Sequence, residues 1–343
     1  LKNMLNKKES YNVAVVGATG IVGESLLEIL CSRSFPIDSI HAIASQKSKG
    51  SKAKFGDQLI TVEALSEFDF STIDIAFFSA GSSVSKEYAT KAASQGCIVI
   101  DNTSEFRYKD NIPLIVPEVN PQDISSYKDT NIIANPNCST IQMLVALKPL
   151  HDTFGIEHIN VSTYQAVSGS GKDGIEELLQ QSSAYIDQRS IDKKVYPKQI
   201  AFNSIPFVDC FLENDYTREE MKMVWETQKI LDKNITVNPT AVRVPVLIGH
   251  AESIYIETKK DIDIQLARDC LISFEGISVI DDISEIDFPT SFEHGHGTDD
   301  VFVGRIRKGL SKNNSLNLWV VADNVRKGAA LNSIQIAESL IRS

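Results

Sequence analysis

Three glycines spaced three residues apart constrain the fold of this chain more than any other feature. Gly17, Gly20 and Gly23 follow a Val-rich apolar run at 12–17 and precede the helix-like segment SLLEILCSR at 25–33. A strand, a glycine turn and a helix in this order let the backbone approach a pyrophosphate at the helix N-terminus. The alternative is a tight turn without a ligand, but the flanking elements favour dinucleotide binding.

Apolar and helical segments continue to alternate after this turn. Strand-like runs lie at 39–45, 74–81 and 97–104, and the segment at 87–96 has helical spacing. Continuous apolar strands separated by helices are typical of a parallel sheet that is covered on both faces. We therefore predict a Rossmann-type, doubly wound α/β domain over residues 11–137.

The chain after this domain has a different organisation. A helical apolar stripe covers 141–154, and Ser139 or Thr140 is expected to cap its start. The pattern that follows is mixed, which predicts an α+β domain over 138–324; the family resemblance described below implies that this domain is the catalytic and dimerisation domain. Its expected elements are strands at 158–169, 241–247, 252–257 and 316–321 and a helix at 217–233.

The two ends of the chain differ in their expected structure. The amphipathic segment at 326–341 predicts a helix that returns to the first domain, so that residues 325–343 complete it. Residues 1–10 are charged and lack the apolar segment of a secretory signal, so we interpret them as a polar extension. The cytoplasm is the expected location.

Composition narrows the class of partner. A length of 343 residues favours two domains over one small core. The net charge of -11 argues against a nucleic-acid partner, which needs clustered cations. No apolar run reaches the roughly 18 residues that cross a bilayer. Five dispersed cysteines without a CxxC pair favour free thiols over disulfides or zinc. We expect a small-molecule substrate, no nucleic acid and no membrane.

The end of the second predicted strand indicates which dinucleotide is bound. NAD-specific sites carry an Asp or Glu about 20 residues after the glycines, where it bonds the ribose hydroxyls. This chain has Ser45, Gln46, Lys47, Ser48 and Lys49 there, without a carboxylate. Hydroxyls and cations suit a 2'-phosphate, which favours NADP. An exposed basic loop is the alternative interpretation.

One cysteine stands where a nucleophile is expected. Cys138 lies in the polar string NPNCST at the start of a predicted helix, and a helix N-terminus stabilises a thiolate. A structural thiol at a helix cap is the alternative. Cys31, Cys97 and Cys270 lie in apolar or helical surroundings and are expected in the core, whereas Cys210 is undecided.

Four motifs together resemble the aspartate-semialdehyde dehydrogenase family. GATGIVG, NPNCST, YQAVSGSG and VRVPVLIGH occur in this order, and the resemblance runs from about residue 12 to the C-terminus. It implies NADPH-dependent reductive dephosphorylation of L-aspartyl 4-phosphate to L-aspartate 4-semialdehyde through a Cys138 thioester. It also implies a homodimer and a role in the biosynthesis of lysine, through diaminopimelate, and of threonine, methionine and isoleucine.

The resemblance also implies roles for residues that the pattern alone leaves undecided. Gln165 would orient the substrate, Arg243 hold its carboxylate and His250 move protons. From the residues alone, Gln165 is a surface side chain and His250 a turn histidine. The substrate-binding residues implied by the family are Arg107 and Lys222 for phosphate, Glu219 for the ammonium group, and Asn137, Gln165 and Arg243.

The implied cofactor site has one departure from the family pattern. Family members usually carry Arg where this chain has Lys47, so a bidentate grip on the 2'-phosphate becomes a point-charge contact. Glu219 and Lys222 also fit an ordinary i,i+3 surface pair. The implied cofactor-binding residues are Gly17, Thr19, Gly20, Ile21, Val22, Ser45, Lys47, Ser48, Ser168, Gly169 and Asn324.

A metal site, a related reductase activity and a non-catalytic role are the alternative interpretations of the sequence. His294, His296, Asp299 and Asp300 suggest a metal cluster, but their spacing is more typical of a solvated loop, so no metal is expected. N-acetyl-glutamyl-phosphate reductase shares the chemistry but differs around its cysteine, with Gly-Cys-Tyr in place of Asn-Cys-Ser. A non-catalytic NADP-binding relative is expected to lose the nucleophile, which this chain retains.

Overall fold

The computed structural model describes residue 5 and residues 7–342. The predicted extension at 1–10 therefore lies partly outside the described residues. The chain forms two compact units: the part up to Asn137 together with the segment from Ala329, and Cys138–Gly328. The predicted division into 11–137 with 325–343 and 138–324 stays a prediction about domains. Among the described residues, no helix is both long and apolar enough to cross a membrane.

The first unit contains the predicted parallel sheet. Its six strands have the order β5-β2-β1-β6-β7-β8, and every pairing is parallel, which confirms the Rossmann-type fold. A separate antiparallel hairpin consists of β3 and β4. The strands are β1 Tyr11–Val16, β2 Ile37–Ala44, β3 Lys52–Phe55, β4 Gln58–Thr61, β5 Glu63–Ala64, β6 Ile75–Phe78, β7 Ile98–Asp101 and β8 Ile132–Ala134.

Apolar residues on both faces of this sheet form the core of the first unit. Val15 and Phe77 on one face and Val16 and Phe78 on the other are fully buried, as the continuous apolar runs predict. Helix α1, Ile21–Ser32, and the C-terminal helix, Leu331–Arg342, belong to one cluster with Val15 and Phe77. The C-terminal helix thus belongs to the first unit.

The helix predicted at 87–96 begins earlier than expected. It consists of α2 Ser82–Val84, a π-helical turn at Ser85–Ala89 and α3 Thr90–Ser94. The start follows Gly81, whose φ of +94° sets the chain direction after β6.

The second unit contains a mixed sheet with the order β10-β9-β11-β14-β13-β12. Pairs β9–β10 and β12–β13 are parallel, and the other three pairs are antiparallel, which confirms the predicted mixed domain. The strands are β9 Ile156–Gln165, β10 Thr236–Arg243, β11 His250–Thr258, β12 Ile277–Val279, β13 Val301–Lys308 and β14 Ser315–Ala322, and the helices are α4 Cys138–Phe154, α5 Gly171–Ile186, α6 Arg218–Ile230 and α7 Ile264–Ile272.

Three predictions in this unit were wrong in detail. The strand predicted at 158–169 is β9, which ends at Gln165, and Val167–Ser170 forms a 3-10 turn. Helix α4 begins at Cys138, so Ser139 and Thr140 lie inside its first turn and do not precede it as caps. The strand predicted at 241–247 is β10, which ends at Arg243. Pro245 has no N–H to donate to a neighbouring strand, which disfavours a longer strand.

Candidate active site

Three strand ends bring the predicted catalytic side chains of the second unit to one edge of its sheet. Gln165 ends β9 and Arg243 ends β10, and the two residues are paired in the parallel register. Strand β11 runs antiparallel to β9 and starts at His250, so its first residue reaches the same edge. The three side chains are buried, which places polar groups where ordered hydrogen bonds must hold them.

The Gln165 amide is fixed from both sides. Thr163 Oγ1 donates a hydrogen bond to Gln165 Oε1 at 3.0 Å, and Gln165 Nε2 donates to Glu219 Oε1 at 3.0 Å. This pair of contacts sets which side of the amide carries its hydrogens. Gln165 is therefore a donor toward Glu219.

His250 is held as a neutral ring of one tautomer. The Ala166 N–H donates to Nδ1 at 3.0 Å, so the neutral ring carries its hydrogen on Nε2. Complete burial, and secondarily the positive charge of Arg243, lower the pKa of His250 to about 3, while Glu219 opposes the shift. Gln165 Nε2 lies 3.5 Å from His250 Nε2. Because both nitrogens then carry hydrogens, that contact is not a hydrogen bond.

Arg243 is anchored beside His250. Its Nη1 donates to the Ala166 carbonyl at 2.7 Å. Gly169 approaches both side chains so closely that a Cβ there would lie 2.8 Å from Arg243 Nη1 and 3.4 Å from His250 Nε2. A guanidinium has five N–H donors and Ala166 takes one, so the group retains the capacity to bind a carboxylate.

Helix α6 adds a partly buried charge cluster. Lys222 Nζ lies 2.9 Å from Glu219 Oε2 and 2.9 Å from Asp209 Oδ2. Burial alone would lower the pKa of Lys222, but Glu219 and Asp209 outweigh it and raise the pKa above its usual range. Thr217 caps α6 in a box with Glu220, which fixes the turn that presents Glu219 and Lys222. Glu219 thus connects Gln165 to Lys222, and neither Asp209 nor Thr163 carried a signal in the sequence.

Cys138 is the first residue of the 17-residue helix α4. The partial positive charge of a helix N-terminus stabilises a thiolate. Gly328 packs against it, since a Cβ on Gly328 would lie 2.7 Å from Cys138 Cβ. One turn further along α4, Gln142 Nε2 donates to the His250 carbonyl at 3.4 Å, which connects the helix of Cys138 to β11.

All five cysteines are free, and they differ in exposure. Cys97 is buried, as predicted, and burial raises the pKa of its thiol. Cys31 and Cys270 were expected in the core but are half-buried, because each lies at the edge of an amphipathic helix. Cys210 is also half-buried.

Ser168 and Asn324, both predicted to contact the cofactor, bond each other. Asn324 Nδ2 and Ser168 Oγ lie 2.9 Å apart, and the Gly249 N–H donates to Asn324 Oδ1 at 2.9 Å. The pair therefore holds the turn that precedes His250, which the sequence did not indicate. A cofactor contact by Ser168, Gly169 or Asn324 stays a prediction.

The first unit holds the glycine turn between β1 and α1, and its local geometry fits a pyrophosphate. Gly17 has a φ of +90°, and a Cβ there would lie 2.9 Å from the Ser79 backbone. A Cβ on Gly23 would lie 2.1 Å from the Gly17 carbonyl oxygen. Helix α1 has Gly20 as its N-cap without a side-chain hydrogen bond, which leaves the first-turn amides for an anion. Thr19 lies in the turn, and Ile21 and Val22 begin α1.

The predicted 2'-phosphate segment follows β2 as a 3-10 turn at Gln46–Ser48. Ser45 and Lys47 are exposed and Ser48 is half-buried. Lys49 forms an ion pair with Glu67 at 2.5 Å, whereas Lys47 makes none with the described residues. Lys47 is therefore the better candidate of the two lysines for an external anion.

Arg107 and Asn137 also belong to the first unit and are 6% exposed. Arg107 Nη2 donates to the Asn102 carbonyl at 2.9 Å. Burial raises the pKa of the neighbouring Asp101, although hydrogen bonds from Ser85 and Thr103 oppose that rise. The turn after β7 thus fixes the arginine backbone and side chain.

The histidine loop of the second unit is engaged in other contacts. His294 Nδ1 accepts from the Thr290 N–H at 3.1 Å, Asp299 pairs with Arg326 at 2.8 Å, and Asp300 accepts from Ser278. Across residue 5 and residues 7–342, no group of three or more His, Cys, Asp and Glu side chains is arranged to hold a metal ion.

Comparison with known proteins gives consistent matches. The family model for the semialdehyde dehydrogenase NAD binding domain matches residues 12–127, and that for the dimerisation domain matches 147–327. An aspartate-semialdehyde dehydrogenase of Legionella pneumophila is 55% identical over 332 residues, 96% of each chain.

Two solved structures are also similar. Aspartate semialdehyde dehydrogenase II of Vibrio cholerae, complexed with ASA, superposes with a TM-score of 0.96 at 52% identity, covering 98% of this chain and 99% of that one. The Candida albicans enzyme with NADP gives a TM-score of 0.74 at 27% identity, covering 96% of this chain and 98% of that one.

Proposed function

The chain belongs to the aspartate-semialdehyde dehydrogenase family, and on that premise we propose that Cys138 is the nucleophile of its reaction. The function is NADPH-dependent reductive dephosphorylation of L-aspartyl 4-phosphate to L-aspartate 4-semialdehyde, which is reversible and phosphate-dependent. This is a step in the biosynthesis of lysine, threonine, methionine and isoleucine. The observation that carries the assignment is the hydrogen bond from Gln142 to the His250 carbonyl, since it connects the helix of the thiol to the strand of the histidine.

The first step is acyl transfer. The Cys138 thiolate attacks the acyl carbon, a C–S bond forms, the bond to the phosphate oxygen breaks, and phosphate leaves. Backbone amides around Asn137 and Cys138, at the start of α4, stabilise the oxyanion of this step. The product is a thioester on Cys138.

The second step is reduction of this thioester. Bound NADPH supplies the hydride that the thioester carbon receives. The Nε2–H of neutral His250 donates a hydrogen bond to the resulting oxyanion, as the tautomer fixed by Ala166 allows. When the C–S bond breaks, the oxyanion becomes the aldehyde carbonyl and Cys138 is released as a thiolate.

Substrate recognition uses the charges around these groups. Arg243 binds the α-carboxylate, because a guanidinium matches a carboxylate in a bidentate manner. Gln165 orients the reacting carbonyl, and Glu219 receives the ammonium group. Lys222 and Arg107 bind phosphate, and the raised pKa of Lys222 supports its positive charge.

The cofactor is NADP. The glycine turn would hold its pyrophosphate, with Thr19, Ile21 and Val22 at the helix start, and Ser45, Lys47 and Ser48 would hold its 2'-phosphate. A lysine binds that phosphate as a point charge, so preference for NADP is expected to be weaker than with arginine. Ser168, Gly169 and Asn324 would contact the nicotinamide end.

Assembly and location are proposed with the activity. The match of the dimerisation-domain model to residues 147–327 supports a homodimer formed through the second unit. A biosynthetic role among small metabolites supports a cytoplasmic location.

The test is phosphate-dependent reduction of NADP by aspartate semialdehyde. Cys138→Ser should abolish turnover and leave NADP binding unchanged, whereas Cys210→Ser, at another half-buried thiol, should retain turnover. NAD offered in parallel should be used less well. Turnover retained by Cys138→Ser would refute the covalent route. A folded wild type that reduces only N-acetyl-glutamyl phosphate would assign the chain to that reaction.

A further inference from the structure

A buried carboxyl group lies directly behind the catalytic edge of the second unit. Glu252 is two residues after His250 in β11 and so faces the same side of the sheet. It is paired across the sheet with Thr163, which is two residues before Gln165 in β9. Glu252 is 0% exposed, although the mechanism described above gives it no part.

The surroundings of Glu252 contain acceptors without a matching donor. Gln142, in the first turns of α4, is also 0% exposed. Its Nε2 donates to the His250 carbonyl at 3.4 Å, so its Oε1 faces away from that carbonyl. Within the described part of the chain, neither oxygen of Glu252 nor Gln142 Oε1 has a hydrogen-bond partner. Buried acceptors without a hydrogen-bond partner destabilise the fold unless a donor is supplied.

The chemistry of the carboxyl group reduces this mismatch. Burial raises the pKa of Glu252 well above its usual range, and the Gln142 side chain offsets only part of that rise. A neutral carboxylic acid carries one O–H donor, which an ionised one lacks. A protonated Glu252 would therefore supply one hydrogen to these three buried oxygens.

We propose that Glu252 is a positioning residue that stays protonated and donates to Gln142 Oε1. Gln142 in turn donates to the His250 carbonyl, so three groups join β11 to α4 four residues after Cys138. The connection sets the nucleophile's helix against the strand of His250. Glu252 touches neither substrate nor cofactor in this assignment, and its effect passes through Gln142.

This inference rests on the proposed function, because it concerns the placement of Cys138 and His250. Two of its measurements need no turnover. Infrared difference spectroscopy of the full-length protein detects the carbonyl band of a protonated carboxylic acid, and alkylation of Cys138 by iodoacetamide, followed by peptide mass spectrometry, reports access to the thiol. Wild-type turnover of aspartate semialdehyde tests the proposed function separately.

The variants are Glu252→Gln, Glu252→Leu, Gln142→Leu and the double leucine variant. Glu257→Gln is the matched control, since Glu257 is in the same strand and is ion-paired with Lys312 at 2.6 Å. Glutamine at 252 keeps a donor for Gln142 Oε1, so kcat should stay within about threefold of wild type. Leucine removes the donor, and both kcat and the alkylation rate should fall roughly tenfold with KM little changed.

The expected results separate positioning from a general packing role. The protonated-acid band should disappear in Glu252→Gln and persist in Glu257→Gln. The double leucine variant should be no slower than Glu252→Leu alone, because both act through one connection. The proposal is overturned if the band is absent from wild type, if Glu252→Gln is as impaired as Glu252→Leu, or if the two leucine effects multiply.

Discussion

Acidification should destabilise this protein through His250 in particular. The folded protein holds the pKa of His250 at about 3, against an ordinary value of 6.5 in the unfolded chain. Below pH 6.5 His250 therefore binds a proton in the unfolded state but stays neutral in the folded state. The free energy of unfolding falls as the pH is lowered from 6.5 toward 3. Between pH 7 and pH 5 this linkage costs about 2 kcal/mol of unfolding free energy.

The assay is urea unfolding at pH 7 and pH 5 at one protein concentration, for wild type and His250→Gln. Glutamine retains a side-chain oxygen that accepts from the Ala166 N–H but does not titrate. The loss of stability between pH 7 and pH 5 should be about 2 kcal/mol smaller in the variant than in wild type, because glutamine binds no proton in the unfolded state. Equal losses in the two proteins would show that His250 titrates normally, and the proposed neutral tautomer would be wrong.

Three further substitutions test the site and the cofactor turn. Gly169→Ala places a methyl 2.8 Å from Arg243 Nη1 and so displaces the guanidinium. KM for aspartate semialdehyde should therefore rise roughly tenfold in steady-state assays. An unchanged KM would contradict the carboxylate-binding role of Arg243. Gly23→Ala sets a methyl 2.1 Å from the Gly17 carbonyl oxygen, which should lower stability by about 1–3 kcal/mol in urea unfolding; unchanged stability would show that the turn adjusts. Lys47→Arg should lower KM for NADP several-fold and leave KM for NAD unchanged, whereas equal effects on both would exclude a 2'-phosphate contact.

The first unit was largely predictable because its strands are local signals. Continuous apolar runs such as the one ending at Gly17 identify central parallel strands, and the glycine turn gives the helix start. The helix predicted at 87–96 begins earlier, at Ser82, because Gly81 and a π-helical turn set its start. The prediction rested on apolar spacing, which reports neither feature.

The second unit was less predictable. Helix α5 begins in the glycine- and serine-rich segment SGSGKDG, which has the composition of a loop, so tertiary packing outweighs local preference there. Strand β10 is shorter at its end than predicted because Pro245 follows it. The elements α7, β12 and β13 were not predicted as such, although Cys270 was expected among helical residues and lies in α7.

The candidate site was also only partly predictable from the sequence. Cys138 was identifiable from its position before a helix, but Gln165, Arg243 and His250 come from three strand ends that only the folded sheet brings together. Their roles needed the family resemblance. Glu252 was detectable from the sequence, since a glutamate precedes Ile254 and Ile256 in the alternate, inward-facing series of β11.

The most direct test of the account is a single turnover of aspartate semialdehyde and NADP without phosphate. The acyl group then has no phosphate to accept it and stays on the enzyme as a thioester. The account predicts a burst of one NADPH per subunit and an aspartyl adduct that peptide mass spectrometry locates on Cys138. An adduct on another residue, or phosphate-dependent turnover without any burst or adduct, would contradict nucleophilic catalysis by Cys138.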